Sequence, residues 1–345
     1  MNIKRLFHQS CLAVAVLLAM ALTSCGMMDY EGPDCSTQRR IRFTYDWNML
    51  WADAFPHEVK TLTLYAFDKS GKLVYKRFAS TDSIIQKGYM DLSDLPAGVY
   101  DLHVWAEGKQ RNPDSYQKGY IEVGDSLRDS LRIRLNRDSN GDVRNDLTPL
   151  YYGTLNDADF TDMGKEGGVR EVTVNLMKDT ENFRIVLQNL GGQPLPVDSF
   201  TFTITDNNGY LAADNALLPD QKLTYHAWAV LSGVVTSDSI STSPNTITST
   251  SAVVAELTTN RLVEGHNTRL IVTRNSDGHR IIDIPLIDAC LLVIGNYNRD
   301  LSTQEYLDRQ DSWNLIFFMD SNLNWLAGQL CVQQWRLVWQ THDIN

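Results

Sequence analysis

Apolar and polar residues alternate along most of this chain with a period of two. Ile41, Phe43 and Tyr45 alternate with Arg42, Thr44 and Asp46, and the segment Val59 to Asp68 alternates again. Lys69-Ser70-Gly71-Lys72 reads as a hairpin turn, after which Leu73 to Phe78 returns. Leu95-Pro96-Ala97-Gly98 is a second turn. It leads into a strand with Tyr100, Leu102, Val104 and Ala106 on one face and Asp101, His103 and Trp105 on the other. Leu131, Ile133 and Leu135 form a further strand face, as do Val172, Val174 and Leu176. Short strands at this spacing, separated by turn residues, predict a β-sandwich.

The second half repeats the style. Phe183, Ile185 and Leu187 alternate, as do Phe200, Phe202 and Ile204, and Asn207-Asn208-Gly209 is a hairpin signal. Residues 232–251 are rich in Ser and Thr and predict a long surface loop or an edge hairpin. Helical pattern is scarce. Asp283-Ile284-Pro285 opens a short helix through Ile294, and Ser302 to Arg309 forms another, with Ser302 and Glu305 placed as a capping box. Trp313 to Met319 and Leu330 to Trp339 read as two closing strands. The chain is thus all-β, with two tandem β-sandwich domains and short helices near the C-terminus. The break falls near Met177–Thr180.

The N-terminus does not share this pattern. Lys4 and Arg5 precede an apolar run from Cys11 to Leu22, too short to span a bilayer comfortably and matched to a signal peptide core. Leu22-Thr23-Ser24-Cys25-Gly26 follows and resembles a bacterial lipobox, in which the cysteine becomes the acylated first residue of the mature protein. Residues 1–24 are therefore expected to be a lipoprotein signal peptide and 25–38 a lipidated polar tether. The two sandwiches are then 39–177 and 178–345. Lipid on Cys25 implies a cell-envelope location, on the outer membrane of a Gram-negative bacterium, since several acyl chains anchor durably where one is marginal.

Composition narrows function. The formal net charge of −11 becomes about −13 once Lys4 and Arg5 are removed, and no basic stripe with interleaved aromatics is present, so nucleic acid is not an expected partner. After processing, Cys35, Cys290 and Cys331 remain, an odd number without a C-x-x-C pair. Cys331 shares a strand face with Trp335, Leu337 and Trp339, which suggests a buried thiol, and a Cys290–Cys331 bridge stays open. His57, His103, His226, His266, His279 and His342 are scattered, and neither a nucleophile elbow nor a phosphate loop occurs. Asp138-Ser139-Asn140-Gly141-Asp142 imitates a calcium loop, but Val143 stands where the loop needs Gly and Pro149 where it needs a bidentate acid, so a polar turn is expected. No catalytic residue, metal site or cofactor is expected, and the chain does not read as an enzyme. Four D-S-[IL] triplets, at Ser83, Ser126, Ser130 and Ser239, resemble a periplasmic O-glycosylation signal. Trp105, Trp313, Trp335 and Trp339 sit in strand patterns and read as core rather than as a sugar platform.

Several blocks, in order along the chain, resemble the fimbrillin anchor-subunit family, the FimB/Mfa-type lipoproteins at the base of bacterial fimbriae. They are Ala66-Phe67-Asp68-Lys69-Ser70-Gly71, then Asp94-Leu95-Pro96-Ala97-Gly98-Val99-Tyr100, then Asp146-Leu147-Thr148-Pro149-Leu150-Tyr151-Tyr152-Gly153. The most specific is Gln304-Glu305-Tyr306-Leu307-Asp308-Arg309-Gln310-Asp311, which leads into Trp313 to Asp320. The chain departs from the family at Leu330-Cys331-Val332-Gln333-Gln334-Trp335, keeping the Trp and losing an Asn-Gly. The resemblance implies transthyretin-like sandwiches, no catalysis, and an outer-membrane lipoprotein that anchors a fimbria and limits its length. Its partners would be fimbrial shaft subunits, joined by strand pairing, with Leu330–Trp339 as the pairing edge. The competing expectation is a surface lipoprotein that binds glycan or a host ligand without a polymer. In shaft subunits of this kind, cleavage after an Arg removes an N-terminal strand. Here that cut at Arg39-Arg40 would sever the tether, so the pair reads as two exposed basic residues left uncut.

Overall fold

The computed structural model describes residues 37–164, 167–189, 193–236, 249–292, 300–332 and 335–340, and strands dominate it. In the N-terminal half they are β1 (Thr37–Thr44), β2 (Val59–Phe67), β3 (Leu73–Ser80), β4 (Met90–Asp91), β5 (Val99–Gly108), β6 (Tyr116–Lys118), β7 (Ile133–Leu135), β8 (Asp142–Val143), β9 (Leu150–Asp159) and β10 (Gly168–Lys178). Helices α1 (Phe55–Glu58) and α2 (Thr81–Lys87) lie among them. Seven strands form one sheet in the order β3-β2-β5-β9-β10-β1-β4. β10 is its hinge. Residues 168–175 pair parallel with β1, whereas Leu176, Met177 and Lys178 pair antiparallel with β9. The sheet thereby folds over one core, with Ile41 and Phe43 of β1 packed with Leu62, Leu64, Leu102 and Val104. Gly153 sits at the crossing. A Cβ there would lie 2.6 Å from Leu176 Cδ2 and 2.7 Å from Val174 Cγ1, so a side chain does not fit.

In the C-terminal half the strands are β11 (Thr180–Asn189), β12 (Phe200–Asp206), β13 (Tyr210–Leu211), β14 (Leu223–His226), β15 (Ala229–Thr236), β16 (Ser249–Asn260), β17 (Arg269–Arg274), β18 (Arg280–Pro285), β19 (Ser312–Met319), β20 (Trp325–Val332) and β21 (Trp335–Gln340). Helices α3 (Leu286–Leu291) and α4 (Thr303–Arg309) join the later strands. A six-stranded sheet, β15-β16-β11-β19-β20-β21, faces a five-stranded one, β18-β17-β12-β14-β8. Phe183, Ile185 and Leu187 of the first share a core with Phe202, Ile204 and Val272 of the second. Each such side chain contributes about 1.5–3 kcal/mol by leaving water.

The two halves interlock more than the sequence pattern suggests. His103 and Trp105, on the supposedly outward face of β5, are buried. A three-stranded sheet, β13-β7-β6, covers that face, and β13 comes from the C-terminal half. In return β8 pairs with β14 (Thr224 opposite Asp142), and Met49, Val143 and Leu147 enter the C-terminal core.

Other expectations need correction. β1 begins at Thr37, inside the segment read as tether, because Thr37 and Gln38 already pair with Gly168 and Val169. Asn207-Asn208-Gly209 does not close a hairpin. β12 pairs with β14 and β17, and the chain instead leaves the sheet for β13. Asn208 is buried and clamps the crossing: its amide nitrogen donates to the carbonyls of Asn260 (3.2 Å) and Arg261 (3.0 Å), and its amide oxygen accepts from the Tyr225 hydroxyl at 2.6 Å. Pro285 ends β18 rather than lying within a helix, and α3 starts after it. Residues 330–339 are not one strand. They span the end of β20, two residues outside the described set, and most of β21. Half of the expected capping box forms: Ser302 Oγ accepts from Glu305 N at 3.2 Å, while the Glu305 carboxylate accepts from Arg309 Nε. Residues 229–236 and 249–260 form an edge hairpin in the Ser/Thr-rich region.

Candidate functional site

Cys25 and the lipobox lie outside the described residues, as do Cys35 and the triplet at Ser239. The site is therefore built from the first described strand, what joins the two halves and the C-terminal sheet edge.

β1, the first described strand, is bonded along its whole length to β10. Side chains reinforce the ladder. Thr37 Oγ1 accepts from Met163 N at 2.8 Å, and Arg42 Nε donates to Glu171 at 2.6 Å. Arg39 is buried at 9 % exposure, donating from Nε to the Phe160 carbonyl at 2.9 Å and pairing with Asp162. Arg40 is half-buried, with its guanidinium 4.1 Å from the centre of the Tyr89 ring. The reading of Arg39-Arg40 as two exposed residues is thus wrong. A period-two strand with one face on the core places Arg39 inward with Ile41, and its head reaches the strand-end carbonyl of Phe160.

Between the halves β10 leads into β11 with Asp179 alone between them. This junction gathers charge. The Lys178 ammonium is buried, 2.5 Å from Asp311 and 3.4 Å from Glu58. Burial alone would lower its pKa, but the two carboxylates outweigh that and hold it above the ordinary value. Asp179 is fully buried. One oxygen accepts from Asn215 Nδ2 at 2.9 Å, the other has no hydrogen-bond partner among the described residues, and burial pushes the carboxyl up to about 7. Burial also raises Glu181, which accepts from the Trp313 indole at 2.9 Å, and Asp308, which faces Arg261 at 3.4 Å. Arg309 donates to the Asp46 carbonyl at 3.1 Å and to Glu305 at 2.8 Å, and lies between the rings of Trp47 and Trp51. The block Gln304–Asp311, quoted above as a motif, is therefore the bolt between the halves. Sequence reasoning missed Trp47, Lys178, Asp179 and Glu181. The only signal was a charged run at a strand boundary, which ordinarily means a solvated turn.

The far end is β21, which lies at one edge of the six-stranded sheet and pairs with β20 from Trp335 opposite Val332 to Gln340 opposite Ala327. Cys290, one half of the expected Cys290–Cys331 bridge, is a buried free thiol on α3 among the described residues. The Cys331 side chain falls outside what is described. Ser83 and Ser130 are exposed, and Ser126 is half-buried, its hydroxyl accepting from Glu122 N at 2.9 Å. Asp138 accepts from the backbone N–H of Asn140 and Asp142, both at 2.9 Å, which makes it a turn residue.

Comparison with known proteins agrees with this architecture. The family profile described as "Fimbrillin-A associated anchor proteins Mfa1 and Mfa2" matches residues 31–341. The minor fimbrium anchoring subunit Mfa2 of Porphyromonas gingivalis is 25 % identical over 299 residues, 84 % of this chain and 82 % of that protein. A candidate adhesin from Bacteroides thetaiotaomicron superposes with a TM-score of 0.73 at 31 % identity, covering 89 % of this chain and 99 % of that one. The P. gingivalis Mfa2 structure shares the fold, with a TM-score of 0.64 at 20 % identity over 89 % of this chain and all of that one. This chain belongs to the fimbrillin-A associated anchor protein family.

Proposed function

We propose that this protein is a non-catalytic outer-membrane lipoprotein that holds a fimbria to the cell surface. In this reading lipid on Cys25 fixes one end, and the C-terminal sheet edge receives the shaft subunit and stops the polymer from growing past the membrane, which limits its length. The observation that carries the reading, beyond family membership, is a continuous load path. Tension on the tether enters β1, passes through its eight-residue ladder to β10, crosses Asp179 into β11, and reaches β21 through β19 and β20. A ladder loaded along its strands must lose its bonds together, which suits an anchor. At the far end, an edge strand presents unpaired N–H and C=O groups, and a partner's strand can satisfy them.

The structure sharpens the test of the pairing edge. Deleting residues 335–345 removes β21 and leaves β20 intact as the new edge. The protein is expected to stay in the membrane fraction while fimbriae appear in the medium. Fimbriae that remain on the cells would rule out β21 as the joint.

A further inference from the structure

Free sheet edges invite pairing, so proteins guard them with charge, Pro, bulges or very short strands. Most edges here are guarded. β3 carries Lys76 and Arg77, β4 and β8 are two residues long, and β21 is the edge assigned above to the shaft subunit. β18 carries Arg280 and Asp283, ends in Pro285, and meets β17 with a register shift. β15 is the exception. Its eight residues, Ala-Val-Leu-Ser-Gly-Val-Val-Thr, contain neither charge nor Pro, and it pairs with β16 in unbroken register. Among the described residues no strand lies on its other side, although the 3-10 turn Val197–Ser199 sits beside it. Leu231 is 64 % exposed, and a Cβ at Gly233 would touch nothing within 4 Å.

The missing charge leaves pairing with the strand's own copy unopposed. Guard charges act most directly against a strand's own copy, because identical strands brought together antiparallel place like charges close to one another. Nothing on β15 opposes that meeting, and a twofold axis across it would join two six-stranded sheets into one. We propose that β15 is a self-association edge, pairing antiparallel with β15 of a second copy of this chain. One strand pair buries less than the roughly 1,200 Å² of a stable interface, so the dimer is weak in dilute solution. Confinement of tethered copies to a membrane surface raises their effective concentration. This last step rests on the lipidation reading above; the pairing itself does not.

The test uses the full-length protein in its native membrane, with Leu231→Cys introduced and a short bis-maleimide cross-linker added. A product of twice the protein's mass, made only of this chain and absent from the unsubstituted protein, is expected. Adding Gly233→Lys, which has room for its side chain, is expected to reduce that product several-fold while the melting temperature stays unchanged. Three results would overturn the proposal. One is no product although the introduced thiol takes up a mono-maleimide. Another is a product indifferent to Gly233→Lys. The third is a product containing a different protein.

Discussion

The guanidinium of Arg309, on α4, lies 4.0 Å from the centre of the Trp47 ring, on the loop after β1. The two residues come from opposite halves of the protein, and Trp51 closes the other side of the sandwich at 3.9 Å. A desolvated cation over an aromatic face is worth about 2 kcal/mol, and the bond to the Asp46 carbonyl adds about 1 kcal/mol. Arg309→Ala is therefore expected to destabilise the protein by about 2–4 kcal/mol in chemical denaturation. Arg309→Lys should restore only part of that, since an ammonium lacks the flat surface that two rings require. Equal stability of Arg309→Ala and wild type would show that the sandwich is incidental.

The junction carboxyls make stability depend on pH with a definite sign. Asp179 has an ordinary pKa of 3.8 when unfolded and about 7 when folded, because burial disfavours its charge. A folded pKa raised in this way gives stability that is full below about 3.8 and lost as pH rises toward 7. Glu181 and Asp308 are shifted in the same direction. Carboxyls that are lowered, such as Asp277 at about 2, act below that window. The urea midpoint should accordingly be higher at pH 5 than at pH 8, and Asp179→Asn should shrink the difference. A flat profile in wild type would contradict the buried-acid account of the junction.

Arg39 and Arg40 predict protease behaviour. A protease must pull several residues into an extended, unpaired form, and here they belong to a strand bonded on both sides, by β10 throughout and by β4 at Arg40 and Ile41. Trypsin applied to the folded protein should leave the Arg39–Arg40 and Arg40–Ile41 bonds intact. N-terminal sequencing that begins at Arg40 or Ile41 would refute this.

The strand pattern was legible because one face of most strands meets a core. Ile41, Phe43, Val174 and Leu176 are buried where alternation placed them, and Asp68 caps the Lys69–Lys72 turn by accepting from Ser70 N and Lys72 N. The exchange between halves was not legible. β8 and β13 are two residues long and have no period to read. His103 and Trp105 looked outward because their cover comes from a distant segment. Arg309 meets Asp46 across a separation of 263 residues, so local spacing carries no trace of the contact. The Gln304–Asp311 block was visible as a resemblance, but its place at the junction belongs to the fold.

In the function proposed above, one covalent point holds both protein and polymer to the cell. Cys25→Ala, expressed in place of the wild-type chain, tests this most directly when cell-bound and released material are compared by immunoblot and electron microscopy. The protein and the fimbriae are expected to leave the cells together. Fimbriae that stay attached while the Cys25→Ala protein is released would contradict it.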